Sequence, residues 1–525
     1  MPAFFAKINN LGETTDNHLL LLVGILFFTT SCVDLEQHPE DSIVLNNYFH
    51  TESDAIGAVS GIYGILVHST ENTPLYGDQI LYLNDLAADY MITGSNSNSP
   101  ETRAIAPVSY DASNFEVRCT WGQIYKGISR ANIAIDNIPN VNASDEIKQR
   151  LINEAKFLRA LLYFNAIQFW GEVPLVLHGE YEDSDLNRTS IDKVYAQIIN
   201  DLEDAEHLPL SYSGNDIGRA TGSGATALLA RVYLVREDWT NAIKYAKKVI
   251  DSGKYELFEN YYDAFDPAKK NGKEHIFSAQ YAYGQAGGSS GNASAHCTWS
   301  TYFNGQESVL IVSDVALFYD VFPDNDQRKK GSYAKQLYNP ATESLYEFEK
   351  PRFRKFIDTT VVLSSVYASA INTDIIRYAD VWFTLAEALN EQGGPDTKYE
   401  GISAYDAINE IRRRAFREGK YSIDPANPAP ASHDFAGLTK EEFREKFRQE
   451  RYFEFVTEQT RWFDLVRWKI LIKSIKRIPA KSAVSLRNYR FPIPQSERGL
   501  NPEGLWQNWG YDGATVENPY NSTYE

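Results

Sequence analysis

Between Thr221 and Gly253 the apolar positions fall into two helical stripes. Ala225, Leu228, Leu229, Val232 and Tyr233 follow the i, i+3, i+4, i+7, i+8 spacing of one helix face. Glu237 and Asp238 mark a corner. Trp239, Ala242, Ile243, Ala246, Val249 and Ile250 make the second stripe, and Gly253 ends it at a C-cap. Ala230, Ala242 and Ala246 are small enough to let the two helices approach closely, so Ala246 is expected where they meet. A lone hairpin cannot bury its own apolar face, and further helices must stack on it.

The rest of the chain supplies them. Ala55, Val59, Ile62 and Leu66 predict a helix over 52–67. Trp121, Tyr125, Ile128, Asn132 and Ile135 predict one over 116–138, with Pro139 after its end. Ser144 is placed to cap a long helix running to Phe169, and 190–207 is its partner. Tyr378, Val381, Trp382, Leu385, Ala386 and Leu389, then Ala404, Ala407, Ile408 and Ile411, give a second hairpin with a longer corner. Thr439 with Glu442 three residues on is a capping-box start for a last pair. That pair carries Phe443, Phe447, Tyr452 and Phe455, then Trp462, Leu465 and Trp468. The pattern breaks down over 68–115 and over 255–372, where only pieces such as Glu274 to Phe277 read as strand. The expected fold is therefore mainly α: about four helix pairs with an irregular insertion between the halves. Leu229, Ala230, Tyr233, Ala242 and Ala246 fall where the tetratricopeptide pattern puts Leu, Gly, Tyr, Ala and Phe.

Composition narrows the function. The chain has 525 residues, 43% of them hydrophobic, with 33 Tyr, 27 Phe and 9 Trp, enough for a large core and for ligand-contacting rings. A net charge of −19 repels phosphate backbones and argues against a nucleic-acid partner. Leu19 to Phe28 is an unbroken apolar run, too short for a bilayer and fitting an export signal. It ends in Thr29-Thr30-Ser31-Cys32, which looks like a bacterial lipobox with Cys32 as the lipidated residue. A plain signal peptide with a chance cysteine is the alternative. Lys7 alone, against Glu13 and Asp16, departs from a basic leader. Cys119 and Cys297 are expected as two thiols; their spacing does not require a bridge.

Several motifs fail on inspection. Gly222-Ser223-Gly224 has no preceding strand for a dinucleotide fold. Gly284 to Gly291 lacks the Lys-Ser/Thr of a phosphate loop. Asp324-Asn325-Asp326 lacks the Gly and Glu of an EF-hand. No zinc set, catalytic triad or cofactor motif stands out, so neither metal nor cofactor is expected. Glu154, Arg159, Glu450, Arg451, Glu454, Arg461 and Asp464 could pass for catalytic carboxylates and anion binders. At helical spacings they are expected as ion pairs that fix the scaffold.

Taken in order, the stretches Glu154–Leu175, Gly218–Thr221, Arg377–Gly393, Glu450–Trp468 and Phe491–Pro494, behind a lipobox, resemble the SusD/RagB family of Bacteroidetes outer-membrane lipoproteins. The resemblance divides the chain into a signal peptide (1–31), an N-terminal helical region (32–254) and a C-terminal region (255–525), with the insertion at 255–372, helical pairs at 373–478 and a tail at 479–525. It implies a tetratricopeptide-like scaffold and a surface location through the lipid on Cys32. It also implies a SusC-like TonB-dependent transporter as partner and oligosaccharides, or in some branches peptides, as ligands. No catalysis is implied. A protein-binding tetratricopeptide adaptor is the remaining alternative.

In that family the ligand face is built from loops opposite the helices. Two irregular stretches here carry aromatics without periodicity. One, 70–101, holds Tyr76 and the amide of Asn96. The other, 281–304, holds Tyr283, Trp299, Tyr302 and Asn304. Trp299 is expected as the stacking platform, with Tyr76, Tyr283 or Tyr302 beside it and the two asparagines bonding hydroxyls.

Overall fold

A computed structural model describes residues 48–67, 74–95, 97, 99–282, 292, 309–339, 343–358, 369–417 and 431–524. Among these, nine helices reach thirteen residues or more: α1 (Glu52–Val67), α2 (Phe115–Asn137), α3 (Asp145–Trp170), α4 (Ile191–Ala205), α5 (Gly222–Val235), α6 (Trp239–Asp251), α7 (Tyr378–Gly393), α8 (Ala404–Phe416) and α9 (Lys440–Phe455). Their starts follow the polar residues before the apolar stripes. Ser144 accepts from the Ile147 amide, Thr221 from Gly224, and Asp238 from Asn241. Thr439 and Glu442 form the expected capping box, and Ser403 with Asp406 forms another.

The opening hairpin is α5 and α6. Ala225, Leu228, Leu229, Val232 and Ala246 are buried, Ala246 completely. Glu237 takes a left-handed backbone (φ 59°) to make the corner. Tyr233 and Tyr245 stack across the pair with centroids 5.4 Å apart. Each helix from α2 to α8 packs on the next, and α9 packs on α7. At Gly127 the α2–α3 contact is so close that a Cβ would lie 2.5 Å from Leu162 Cδ1. From His50 to Glu525 the chain forms one compact unit.

The insertion does not separate two halves. α6 and α7 lie side by side, so the helical row runs on across it. The chain leaves and returns through paired strands: β2 (His275–Ala279) runs antiparallel to β6 (Thr373–Arg377), with His275 across from Arg377 and Ala279 across from Thr373. Both strands are buried throughout. The intervening β4 (Tyr333–Asn339) and β5 (Ser344–Phe353) form a hairpin. A shorter pair joins β1 (Met91–Thr93) to β3 (Leu310–Val312).

Two regions differ from the sequence expectation. Residues 82–86, expected to be irregular, form a wide helical turn closed by Ala87 N–H to the Tyr82 carbonyl; at 75–79 Gln79 N–H reaches the Pro74 carbonyl, but Tyr76 is extended (ψ 132°) and Gly77 has φ +101°, so that stretch stays irregular. The last helical pair forms, but its second member is short. After α9 the chain passes through Thr457 and Gln459, both left-handed, and resumes as short helices at Arg461–Arg467 and Leu471–Ile475. The cause is tertiary. The Tyr90 hydroxyl accepts from the Thr457 amide (3.0 Å), and Asp85 accepts from the Gln459 amide (2.9 Å). Those bonds fix the corner between the two members of the pair.

Candidate ligand-binding face

Of the residues expected to meet the ligand, Trp299, Tyr283, Tyr302, Asn304 and Asn96 lie outside the described residues. Tyr76 is described, and its ring is 5% exposed. Its hydroxyl accepts from Asn165 Nδ2 at 2.6 Å, and burial pushes it up to about 12. It borders an interior cavity of about 50 Å³, too small for a sugar ring. The Tyr76 ring is therefore part of the body in this arrangement, with no open face for stacking.

The described flanks of the two aromatic stretches are held together. Gly94 N–H donates to the Val309 carbonyl at 2.7 Å, extending the β1–β3 pair. The loop carrying Asn96 and the end of the stretch carrying Trp299, Tyr302 and Asn304 thus start from neighbouring strand ends. At the other end, the Tyr281 hydroxyl donates to the Tyr76 carbonyl, while the Tyr281 amide donates to Asn372 Oδ1 at 2.9 Å. Asn292 is fully buried between them. Its Nδ2 donates to the Ile371 carbonyl (3.0 Å) and Thr373 Oγ1 (2.9 Å).

Gly77 makes this approach possible. Its φ is +101°, and a Cβ there would lie 2.6 Å from the Tyr281 hydroxyl and 2.8 Å from Asn292 Oδ1. Sequence analysis passed over Gly77, Tyr281 and Asn292. The available signal was a lone glycine directly after Leu75-Tyr76, a residue type that often marks close backbone approach.

Beneath the insertion lies a buried charge cluster. Arg377 donates through Nε to Glu458 Oε2 (2.6 Å) and through Nη1 to Glu274 Oε1 (2.5 Å) and Glu454 Oε1 (3.1 Å). Arg328 reaches Asp326, Glu450 and Glu454, and Arg414 reaches Glu274 and Glu454. Lys355 bonds Glu458 at 2.6 Å, and Arg412 bonds Glu450. Among the described residues of this cluster, five cations (Arg328, Lys355, Arg377, Arg412, Arg414) face five carboxylates (Glu274, Asp326, Glu450, Glu454, Glu458). Burial alone would raise Glu454, but Arg414, Arg377 and Arg328 hold it down at about 2.

The other suspected catalytic residues are engaged in the same way. Arg159 clamps Asp201 with two bonds of 2.8 Å, Arg219 holds Glu154, Arg451 joins Asp380 to Asp464, and Arg461 holds Asp89. These groups tie α3 to α4 and to the loop before α5, α9 to α7 and to the Arg461–Arg467 helix, and that helix to the loop at Asp89. They are scaffold, as their helical spacing indicated.

No group of His, Cys, Asp and Glu among the described residues is arranged to hold a metal ion. No described helix is long and apolar enough to cross a membrane. A cavity of about 330 Å³ opens beside β2, with Tyr212, Tyr255 and Arg219 in its lining and the exposed Leu210 and Ile217 at its edge.

Comparison with known proteins agrees with the geometry. The sequence profile of the SusD family matches residues 295–511, and a profile described as starch-binding, associating with the outer membrane, matches residues 59–234. SusD-like protein P25 of Formosa agariphila is 28% identical over 542 aligned residues, covering 92% of this chain and 97% of that protein. SusD-like protein P2 of the same organism is 27% identical, covering 94% and 99%. Among solved structures, a SusD homolog from Bacteroides thetaiotaomicron superposes with a TM-score of 0.73 at 23% identity, covering 88% of this chain and 98% of its own. A laminarin-binding SusD-like protein gives 0.70 at 23% identity, covering 88% and 100%. At these identities the structural likeness establishes the fold.

Proposed function

We propose that this chain, which belongs to the SusD family, captures oligosaccharides at the cell surface and passes them to a SusC-like TonB-dependent transporter. Its place is the outer membrane, held through a lipid on Cys32. Its role is binding and delivery without catalysis. Support comes from the family, from a structural neighbour described as laminarin-binding, and from one geometric observation. The two stretches that carry unperiodic rings and amides leave the folded body side by side, joined by the Gly94–Val309 and Tyr281–Tyr76 hydrogen bonds. Loops that start together can close on one ligand, with flat rings stacking on sugar C–H faces and amides bonding hydroxyls.

Within that face, Trp299 is the platform, with Tyr283 or Tyr302 beside it and Asn96 and Asn304 as hydroxyl partners. A glycan array followed by calorimetry on the purified protein identifies the sugar. Trp299→Ala should then weaken binding by roughly 1–3 kcal/mol, the usual cost of truncating an anchoring ring, while the melting temperature stays put. Unchanged affinity would move the site away from Trp299. Binding of peptides with no glycan bound would replace the ligand class.

A further inference from the structure

A cavity of about 210 Å³ lies where the end of α3, the start of α4, the end of α5 and the Arg461–Arg467 helix meet the C-terminal tail. It has room for about seven waters at about 30 Å³ each, close to the volume of one sugar ring. Tyr195, Phe463, Tyr489, Tyr520 and Tyr524 line it, with Gln168, Glu237, Lys469 and Arg490 among the polar groups between them. A concave site walled by rings and pinned by a few polar groups is the usual form of a small-molecule site.

The polar groups offer both a donor and an acceptor. Gln168 donates its Nε2 to the Phe164 carbonyl of its own helix at 3.1 Å, which keeps its Oε1 for a hydroxyl donor. Arg490 donates only through Nη1, in two long bonds of 3.4 Å to the Gln168 and Tyr489 carbonyls. No other hydrogen bond or ion pair engages its side chain among the described residues. The other lining cations each meet an acid: Arg467 bonds Glu387 and Asp464, and Lys469 bonds Glu237 at 3.4 Å. Just outside the lining, Arg236 meets Asp192 at 3.7 Å and Arg188 meets Glu172 at 3.5 Å. Charge around the cavity is thus nearly matched, which suits an uncharged ligand. A guanidinium fork beside an amide oxygen is complementary to neighbouring sugar hydroxyls, which accept from the one and donate to the other.

Tyr489 is the fixed side of the cavity. It is 1% exposed, and its hydroxyl accepts from the Leu471 amide at 3.1 Å. Tyr520 and Tyr524 lie against it, with ring centroids 5.3 and 4.9 Å away. Residues 518–524, which carry those two rings, make no hydrogen bond to the rest of the protein among the described residues. Their bonds are internal: the Tyr520 amide to Asn518 Oδ1, the Thr523 amide and hydroxyl to Asn521 Oδ1, and the Tyr524 amide to the Asn521 carbonyl. Ring contacts hold the segment to the body, together with Lys469 Nζ, 5.9 Å from the Tyr524 centroid. A cover of that kind can lift from the cavity without breaking a hydrogen bond to the body, and its rings can close on the apolar face of a sugar.

We propose that this cavity binds a single neutral pyranose unit, with Arg490 and Gln168 bonding its hydroxyls and Tyr520 and Tyr524 of the tail covering it. The inference rests on the glycan-capture function above and adds a one-sugar subsite built from residues outside the two aromatic stretches.

The test is saturation-transfer NMR and calorimetry on the purified protein. The probes are the methyl glycosides of glucose, galactose, mannose and xylose, with glycerol as the polyol control and a glycan array for longer ligands. A methyl glycoside should bind with a Kd of about 1 mM or tighter, and glycerol should not. The double variant Tyr520→Ala, Tyr524→Ala should weaken that binding about tenfold or more. Its melting temperature should hardly move, because the tail makes no hydrogen bond to the body. Arg490→Gln should weaken binding to a similar degree; if it fails to fold, the tail variant still decides. Equal affinity of the tail variant overturns the subsite. So does glycerol bound as tightly as the glycosides. Loss of glycoside binding in Trp299→Ala, with both cavity variants unaffected, places the sugar on the loop face and overturns the subsite while leaving glycan capture intact. Array binding of oligosaccharides with no methyl glycoside bound does the same. If the array shows no glycan binding and no glycoside binds, the capture function fails and takes the inference with it.

Discussion

Glu454 carries more of this structure than any periodicity would suggest. Its carboxylate accepts from Arg377, Arg414 and Arg328, and its backbone carbonyl accepts from Lys355 (2.9 Å) and the Tyr261 hydroxyl (2.6 Å). Glu454→Gln would leave three buried guanidiniums short of one negative charge. Breaking such a pair from one side costs about 3–5 kcal/mol, which urea denaturation should report as a lower midpoint with an unchanged slope. The same residue sets an acid limit. Its folded carboxyl sits at about 2, as does that of Asp380, where burial is overruled by Arg231 and Arg451. An unfolded carboxylate titrates near about 4. A folded value below the unfolded one contributes stability that is full above about pH 4 and is lost as pH falls toward 2. The melting temperature should therefore drop steeply across that window, and Glu454→Gln should make the drop shallower. Asp85 works in the opposite sense. Burial pushes it up to about 7, so its contribution declines as pH rises from about 4 to 7.

Among the elements, most helix starts were legible because a capping residue and an apolar stripe are local signals. Ser144 and Thr439, read as caps from the sequence, and Thr221 and Asp238, which the structure adds, all act through amides three residues away. In the last pair, the position of the corner and the short length of the second helix were not legible. Trp462, Leu465 and Trp468 keep a helical spacing, but Tyr90 and Asp85, more than 360 residues earlier, bind the amides of Thr457 and Gln459 and turn the chain. The joint between the two aromatic stretches is likewise long-range, and Gly77 is its most exacting position. Gly77→Ala would put a Cβ against Tyr281 and Asn292 in a backbone that L-residues rarely adopt. The expected cost is about 1–3 kcal/mol. Thermal melting should show the loss, and glycan affinity should fall with it, since the two loops would no longer start from a fixed joint. Melting unchanged by Gly77→Ala would mean that the joint is loose.

At the scale of the whole molecule, the helical row is continuous and the insertion stands off it through β2 and β6. The remaining element is the tether. Cys32 follows the apolar run Leu19–Phe28, and both lie outside the described residues. Cys32→Ala should give protein that is soluble or uncleaved if, as proposed, the cysteine carries the acyl chains, since stable anchoring takes more than one. Cell fractionation and the mass of the mature N-terminus would check this. Membrane-bound protein cut at the same site would refute lipidation.

The sequence alone determined the helical row, its caps, its stacking alanines and its family, because helix period, capping and small-residue contacts act within about ten residues. It also assigned Glu154, Arg159, Glu450, Arg451, Glu454, Arg461 and Asp464 to ion pairs rather than catalysis. It could not say which cation meets which carboxylate, since Arg377 and Glu454, or Arg461 and Asp89, are joined only by folding. Tertiary structure alone put the Tyr76 ring inside the body, turned the chain after α9, and brought residue 94 to residue 309. Each of these depends on a hydrogen bond or a contact between residues far apart in the chain, and no local period encodes such a partner.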